Sequence, residues 1–190
     1  NRKFRDTSAW YHIVVVLDTP QTTPSDRLKL YVNGVQETSF STETYPAQDT
    51  TWGWNGTQRH DLGRYGLYEY EWFDGYMAEV NFIDGTALAA SDFGETDSDS
   101  GAWIPKQYNG TYGSQGWYLN FADNSNNTAA TLGKDSSGNG NNWTPNNFSV
   151  TAGAGNDSLE DTPTNNWCTL NPLTKSTTPT PSNGNLEIAF

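Results

Sequence analysis

Cysteine and histidine are nearly absent from this chain: Cys168, His12 and His60 are all that 190 residues contain. One thiol closes no internal disulfide, and three such ligands build no His/Cys metal centre, so structural zinc and thiol redox chemistry are excluded. Basic residues are scarce as well, with ten Lys and Arg against 22 Asp and Glu, a formal charge of -12 and a pI near 4.3. The ten are scattered, so no basic stripe tracks a phosphate backbone, and nucleic acid and anionic membrane surfaces are poor partners. Long apolar runs are missing too. Nothing approaches the roughly 20 residues of a membrane span, so membrane insertion is not expected.

What is present is aromatic. Hydrophobic residues make up 34% of the chain and aromatic ones 14%, enough to fill a core. A single large β-domain over residues 1–160 is expected. Alternation fades after Ala152, and the tract Thr177-Thr-Pro-Thr-Pro-Ser182 is the composition of a stiff, extended spacer, so residues 161–190 read as a Thr/Pro-rich linker toward a further β-module. Both ends look cut from a longer polypeptide.

The chain is organised around Phe73-Asp-Gly-Tyr-Met-Ala-Glu-Val-Asn-Phe-Ile-Asp-Gly85. Tyr76, Ala78, Val80 and Phe82 alternate with Met77, Glu79, Asn81 and Ile83 between two glycines, the pattern of a strand entered and left by turns. Upstream, Ile13-Val-Val-Val16 is apolar enough to be buried on both faces. Pro20 and Pro24 then mark a loop, and Arg27 to Val32 alternates Leu28, Leu30 and Val32 inward against Arg27, Lys29 and Tyr31. Asn33-Gly34 follows, a strong hairpin signal because both positions tolerate positive φ, with a return strand expected over Val35 to Phe40. Downstream, Ala89 to Gly94 reads as one helical turn, Gly116 to Phe121 as a strand with Trp117, Leu119 and Phe121 on one side, and Phe148 to Thr151 as a last short strand.

The segments Arg5 to Asp18 and Asp26 to Gln36, with the Glu79-Val80 strand and the Asp135-Ser-Ser-Gly-Asn-Gly-Asn141 loop, resemble laminin-G-like, concanavalin A-like lectin/glucanase domains of phage tail-fibre and virion-associated proteins. The resemblance implies an all-β fold, a concanavalin-like antiparallel β-sandwich (jelly roll). Strands expected upstream of Trp10 are missing, or supplied by a neighbouring segment or subunit. It further implies a structural or adhesion module at a virion surface or in the extracellular space, contacting host-surface glycans and other virion or filament subunits, and homo-oligomeric by analogy.

The best place for a glycan platform lies between Tyr45 and Phe73, where Trp52, Trp54, Tyr65, Tyr68, Tyr70 and Trp72 are interleaved with Gly, Asn, Thr and charges. Aromatic faces stack on the C–H faces of sugar rings while amides and carboxylates take the hydroxyls. The competing explanation is that these rings cap the sandwich edge or an intersubunit contact. Glu69-x-Glu71-x-x-Asp74 is the one stretch that bears on a hydrolase. Laminarinase-type enzymes of the resembled fold carry Glu-x-Asp-x-x-Glu, because two carboxylates on one side of a strand serve as nucleophile and acid/base. The order here departs at two of three positions, and no enzymatic activity is expected.

Calcium is the one cofactor the sequence suggests. Asp135, Ser137 and Asn139 before Gly140 mimic the opening of a calcium loop without its terminal Glu, and Asp97 and Asp99 lie in a second acidic loop. A tight Asx/Gly turn explains the same letters without metal.

Overall fold

The computed structural model describes residues 2–6, 9–51, 53–54, 56–64, 71–153, 155–164, 181–182 and 187–188. Its best-announced feature is the hairpin at Asn33-Gly34. Both residues adopt positive φ, 49° and 77°, the left-handed pair that a two-residue turn between twisted strands requires. The turn joins β2 (Leu28–Val32) to β3 (Val35–Gln36), and β1 (Ile13–Leu17) pairs with the other side of β2, from Ile13 opposite Val32 to Leu17 opposite Leu28. All pairs are antiparallel, in the order β1-β2-β3.

Directly opposed residues share a face, so Ile13, Val15, Leu28, Leu30 and Val32 line one side of this sheet. Cover is uneven across it: Val32 is 1% exposed, but Ile13 and Val15 are each 47% exposed. The expected two-sided burial of Ile13 to Val16 is therefore corrected. Among the described residues β1 has a partner strand on one side only, and burial is concentrated on Val32 of β2. The return strand is also shorter than its pattern, ending at Gln36, although Glu37 N–H still donates to Leu30 O at 2.8 Å. Between β1 and β2 the Pro24–Arg27 segment is one helical turn, α1, with proline in its first turn where no N–H is needed. Arg27, expected to point outward from a strand, instead donates to the carbonyls of Gln21, Thr22 and Pro46 and fastens that loop.

The organising strand is β4 (Val80–Phe82), paired with β7 (Trp117–Leu119) so that Val80 faces Leu119 and Phe82 faces Trp117. The apolar side of this pair is the core: Trp117, Leu119 and Leu132 are buried, Phe82 stacks on Trp117 at 5.8 Å, and Trp143 packs against Trp117 at 4.7 Å. Alternation predicted a longer strand. Glu79 has φ 54°, which breaks the pleat on the entering side, so Tyr76 and Met77 are exposed. Phe121 has the same φ, which ends β7 before it joins the buried face.

Ala90–Asp92 forms a short 3-10 turn, and Gly94 opens β5 (Gly94–Thr96), paired with β6 (Trp103–Pro105). Trp103 ties the sheets together. Its indole N–H donates to His12 Nδ1 at 3.0 Å, and the two rings stack at 5.9 Å. A Cβ on Gly34 would lie 2.3 Å from the indole ring, and one on Gly94 2.6 Å from it, so both glycines leave room for this side chain. The expected strand at Phe148 to Thr151 is replaced by a closed loop, in which Ser149 N–H donates to the Asp157 carboxylate at 2.6 Å and Asp157 N–H donates back to Ser149 O at 2.7 Å. Near the C-terminus β8 (Pro181–Ser182) pairs with β9 (Glu187–Ile188).

Candidate functional site

Of the six aromatic residues expected to bind glycan, Trp52, Tyr65, Tyr68 and Tyr70 lie outside the described residues, as does Glu69. Trp54 is exposed on the turn at residues 53–56. Trp72 is placed by a short antiparallel contact: it bridges to Arg64, and Phe73 N–H donates to Gly63 O at 2.8 Å. Arg64 lies beneath it, with the guanidinium carbon 5.5 Å from the ring centroid, a cation–π geometry. Arg64 in turn lies 3.2 Å from the Asp61 carboxylate, which also takes Arg59 at 3.0 Å.

Exposure separates the two partners. The Arg64 side chain is 12% exposed, but Trp72 is 59% exposed. The guanidinium thus backs one face of the indole and leaves the other to solvent. Phe73 and Tyr76 stand exposed nearby in sequence, and the Phe73 ring folds over Gly75, where a Cβ would meet it at 2.7 Å. The result is an open aromatic surface on a short antiparallel scaffold. Of the weighed carboxylates, Glu71 has φ 62° and is exposed, as is Asp74, so Glu71 is not set in the regular pleat that puts two acids on one side.

The loop at Asp135 is built differently. Asp135 is 6% exposed and bridges to Leu119. Its Oδ1 accepts from Tyr118 N–H at 2.9 Å and Ser137 N–H at 2.8 Å, and its Oδ2 accepts from the Ser137 hydroxyl and from Asn141 N–H, both at 2.9 Å. Two acceptor positions on each oxygen are taken. Burial works against the charged form, but these four donors outweigh it and hold the carboxyl below its ordinary range. Asn139 turns its amide donors toward the carbonyls of Gly113 and Gly116, at 2.6 and 2.8 Å. A cation ligand needs oxygen lone pairs facing outward, and this arrangement does not fit one. Asp97 and Asp99 sit on the separate turn between β5 and β6. Asp97 Oδ1 there accepts from the Ser100 hydroxyl, Ser100 N–H and Asp99 N–H, which lowers the Asp97 pKa. Among the described residues no group of three His, Cys, Asp or Glu side chains is placed to hold a metal.

Sequence reasoning missed a polar-aromatic cluster on the outer face of β4 and β7. The Tyr118 hydroxyl donates to Glu79, and the Tyr112 hydroxyl donates to Asn81 Oδ1 at 2.9 Å. The two rings stack at 6.1 Å, and Tyr108 meets Tyr112 edge-on at 5.2 Å. Burial, with the Glu79 carboxylate adding to it, raises both hydroxyls, pushing Tyr112 up to about 12. The signal was available, since Asn81 and Glu79 alternate away from the core, but nothing local ties them to tyrosines 31 and 39 residues on.

Residues 2–94 match the family model described as the concanavalin A-like lectin/glucanases superfamily. No curated protein and no solved structure matches the chain. The matched segment covers β1 to the start of β5 and includes the Trp72 surface. With its antiparallel sheets and few helical turns, the fold is all-β and concanavalin-like, of the antiparallel sandwich class. No helix among the described residues is long and apolar enough to cross a membrane.

Proposed function

We propose that this chain is a non-catalytic adhesion module that binds glycans through the Trp72 surface. The observation that carries the reading is the indole of Trp72, open on one face and backed on the other by a guanidinium whose side chain is only 12% exposed. A ring held in this way is already ordered, so a sugar stacking on it costs little side-chain entropy. The match of this segment to a lectin/glucanase superfamily supports the same reading. Phe73 and Tyr76, exposed and a few positions on in sequence, supply further apolar area for neighbouring sugar units. The chain's net charge of -12 favours neutral glycans over polyanionic ones.

A place on a phage tail fibre or another virion surface, in a homo-oligomer, is the setting we propose for such a module, on the resemblance of its strand motifs alone. Glycan-array screening of the chain tests the binding. A retained glycan whose affinity falls about tenfold or more in Trp72→Ala, the loss of one stacking contact, is the expected result. Retention of no glycan, or full retention by that variant, would sink the proposal. Electron microscopy and light scattering of the chain report whether it assembles.

A further inference from the structure

A cleft of about 220 Å³ opens on the partly covered face of the first sheet, remote in sequence from Trp72. Its floor is Leu30 and Val32 of β2. Its walls are Phe4 and Phe40, both largely exposed although they line a concavity, at 55% and 43%. Phe4 is held edge-on by Tyr11, with centroids 4.9 Å apart and planes at 89°. The polar side is Arg2 ion-paired with Glu37, continued by Ser41 and Thr42. Glu37 is fixed from behind, because its N–H continues the β2–β3 ladder onto Leu30 O.

We propose that this cleft is a binding site for one neutral pyranose ring, a second carbohydrate site independent of the Trp72 surface. Three features choose the occupant. The lining is apolar on two sides and carries hydroxyls and an ion pair on another, which matches a sugar's C–H face and its hydroxyl rim. A wholly apolar occupant would instead desolvate the Arg2–Glu37 pair and the hydroxyls without compensation. The volume lies below the roughly 300 Å³ at which pockets for drug-sized ligands begin, so it takes one ring and not a chain. The charges on its wall cancel each other in a molecule of net charge -12, so a neutral sugar is preferred to a uronic or sialic acid.

Titration of the isotopically labelled chain with methyl glycosides of glucose, galactose, mannose and N-acetylglucosamine, followed by amide chemical shifts, tests the site. At least one glycoside is expected to shift the amides of Glu37, Phe40, Ser41 and Thr42 in a saturable way. Phe40→Ala, at a half-exposed position, is expected to weaken that titration about tenfold or more with its melting temperature unchanged. Glu37→Gln should weaken it while the hydrophobic floor stays intact. Trp72→Ala should leave it as it is, which separates this cleft from the platform. No shift in those four amides with any of the sugars, an undiminished titration in Phe40→Ala, or loss of the titration in Trp72→Ala would each overturn the proposal. Uronic or sialic acid binding more tightly than every neutral glycoside would also overturn it.

Discussion

The Asp135 loop and the Trp72 surface are both polar stretches studded with glycine, asparagine and aromatics, and they do opposite things. At Asp135 every acceptor position of the carboxylate is taken by the protein itself, across 17 residues to Tyr118 and locally to Ser137 and Asn141. At Trp72 the internal contact covers one ring face and stops. A side chain whose valences are satisfied inside the fold has nothing left to offer a ligand, whatever motif it spells. The comparison therefore assigns structure to the first region, and the second is the one on which the proposed recognition rests.

Removing the staple should produce the largest effect. Asp135→Ala leaves a cavity and strands the part-buried N–H groups of Tyr118, Ser137 and Asn141 together, and a loss of about 3 kcal/mol is expected from urea unfolding. Trp72→Ala, by contrast, should move stability by about 0.5 kcal/mol or less, as an exposed side chain does. Equal losses at the two positions would erase the distinction between them.

Next in size is the seam at Trp103. Gly34→Ala combines positive φ with a clash against the indole, and about 2 kcal/mol or more is expected, made up of left-handed strain and overpacking. Gly85 has nearly the same φ, 79°, with nothing within 4 Å of a built Cβ, so Gly85→Ala should cost about 1 kcal/mol. If the two substitutions cost the same, Trp103 is not the reason glycine stands at 34.

Acid separates the regions more gently. Burial lowers the His12 pKa from 6.5, and its Nδ1 must stay unprotonated to accept from Trp103. The stability it contributes is thus present above 6.5 and is lost as pH falls through the lower folded value. Asp135, also lowered, contributes stability present above its unfolded value of 3.8 that is lost as pH falls through the folded one. Stability measured against pH should step down twice. In His12→Gln the upper step should vanish and the lower remain. A single step in the native chain would contradict this.

The smallest expected effect is none. Because the donors around Asp135 take the lone pairs a cation would need, millimolar calcium should leave the melting temperature unchanged. A calcium-dependent rise that Asp135→Ala abolishes would restore the metal reading of the loop.

Some of this was legible residue by residue. Asn33-Gly34 gave its turn, and Val80, Phe82, Trp117 and Leu119 gave their buried faces, because period two and positive-φ chemistry are local properties. Strand lengths were overestimated wherever a left-handed residue interrupts an unbroken pattern, as at Glu79 and Phe121. Unlike Asn or Gly, a glutamate or phenylalanine carries no local mark of that conformation.

The sequence by itself determined the all-β class, the hairpin and the apolar faces of the central strands. Each of these follows from composition or from neighbours a few positions apart. Only the tertiary structure decided that Asp135 is a staple, that Trp103 lies across Gly34 and Gly94 with His12 as its acceptor, that Arg64 lies under Trp72, and that Phe4 and Phe40 frame a cleft. Those outcomes depend on which groups meet across tens of residues. Hydrogen-bond saturation and ring exposure are set by these meetings, and no residue's own chemistry states them in advance.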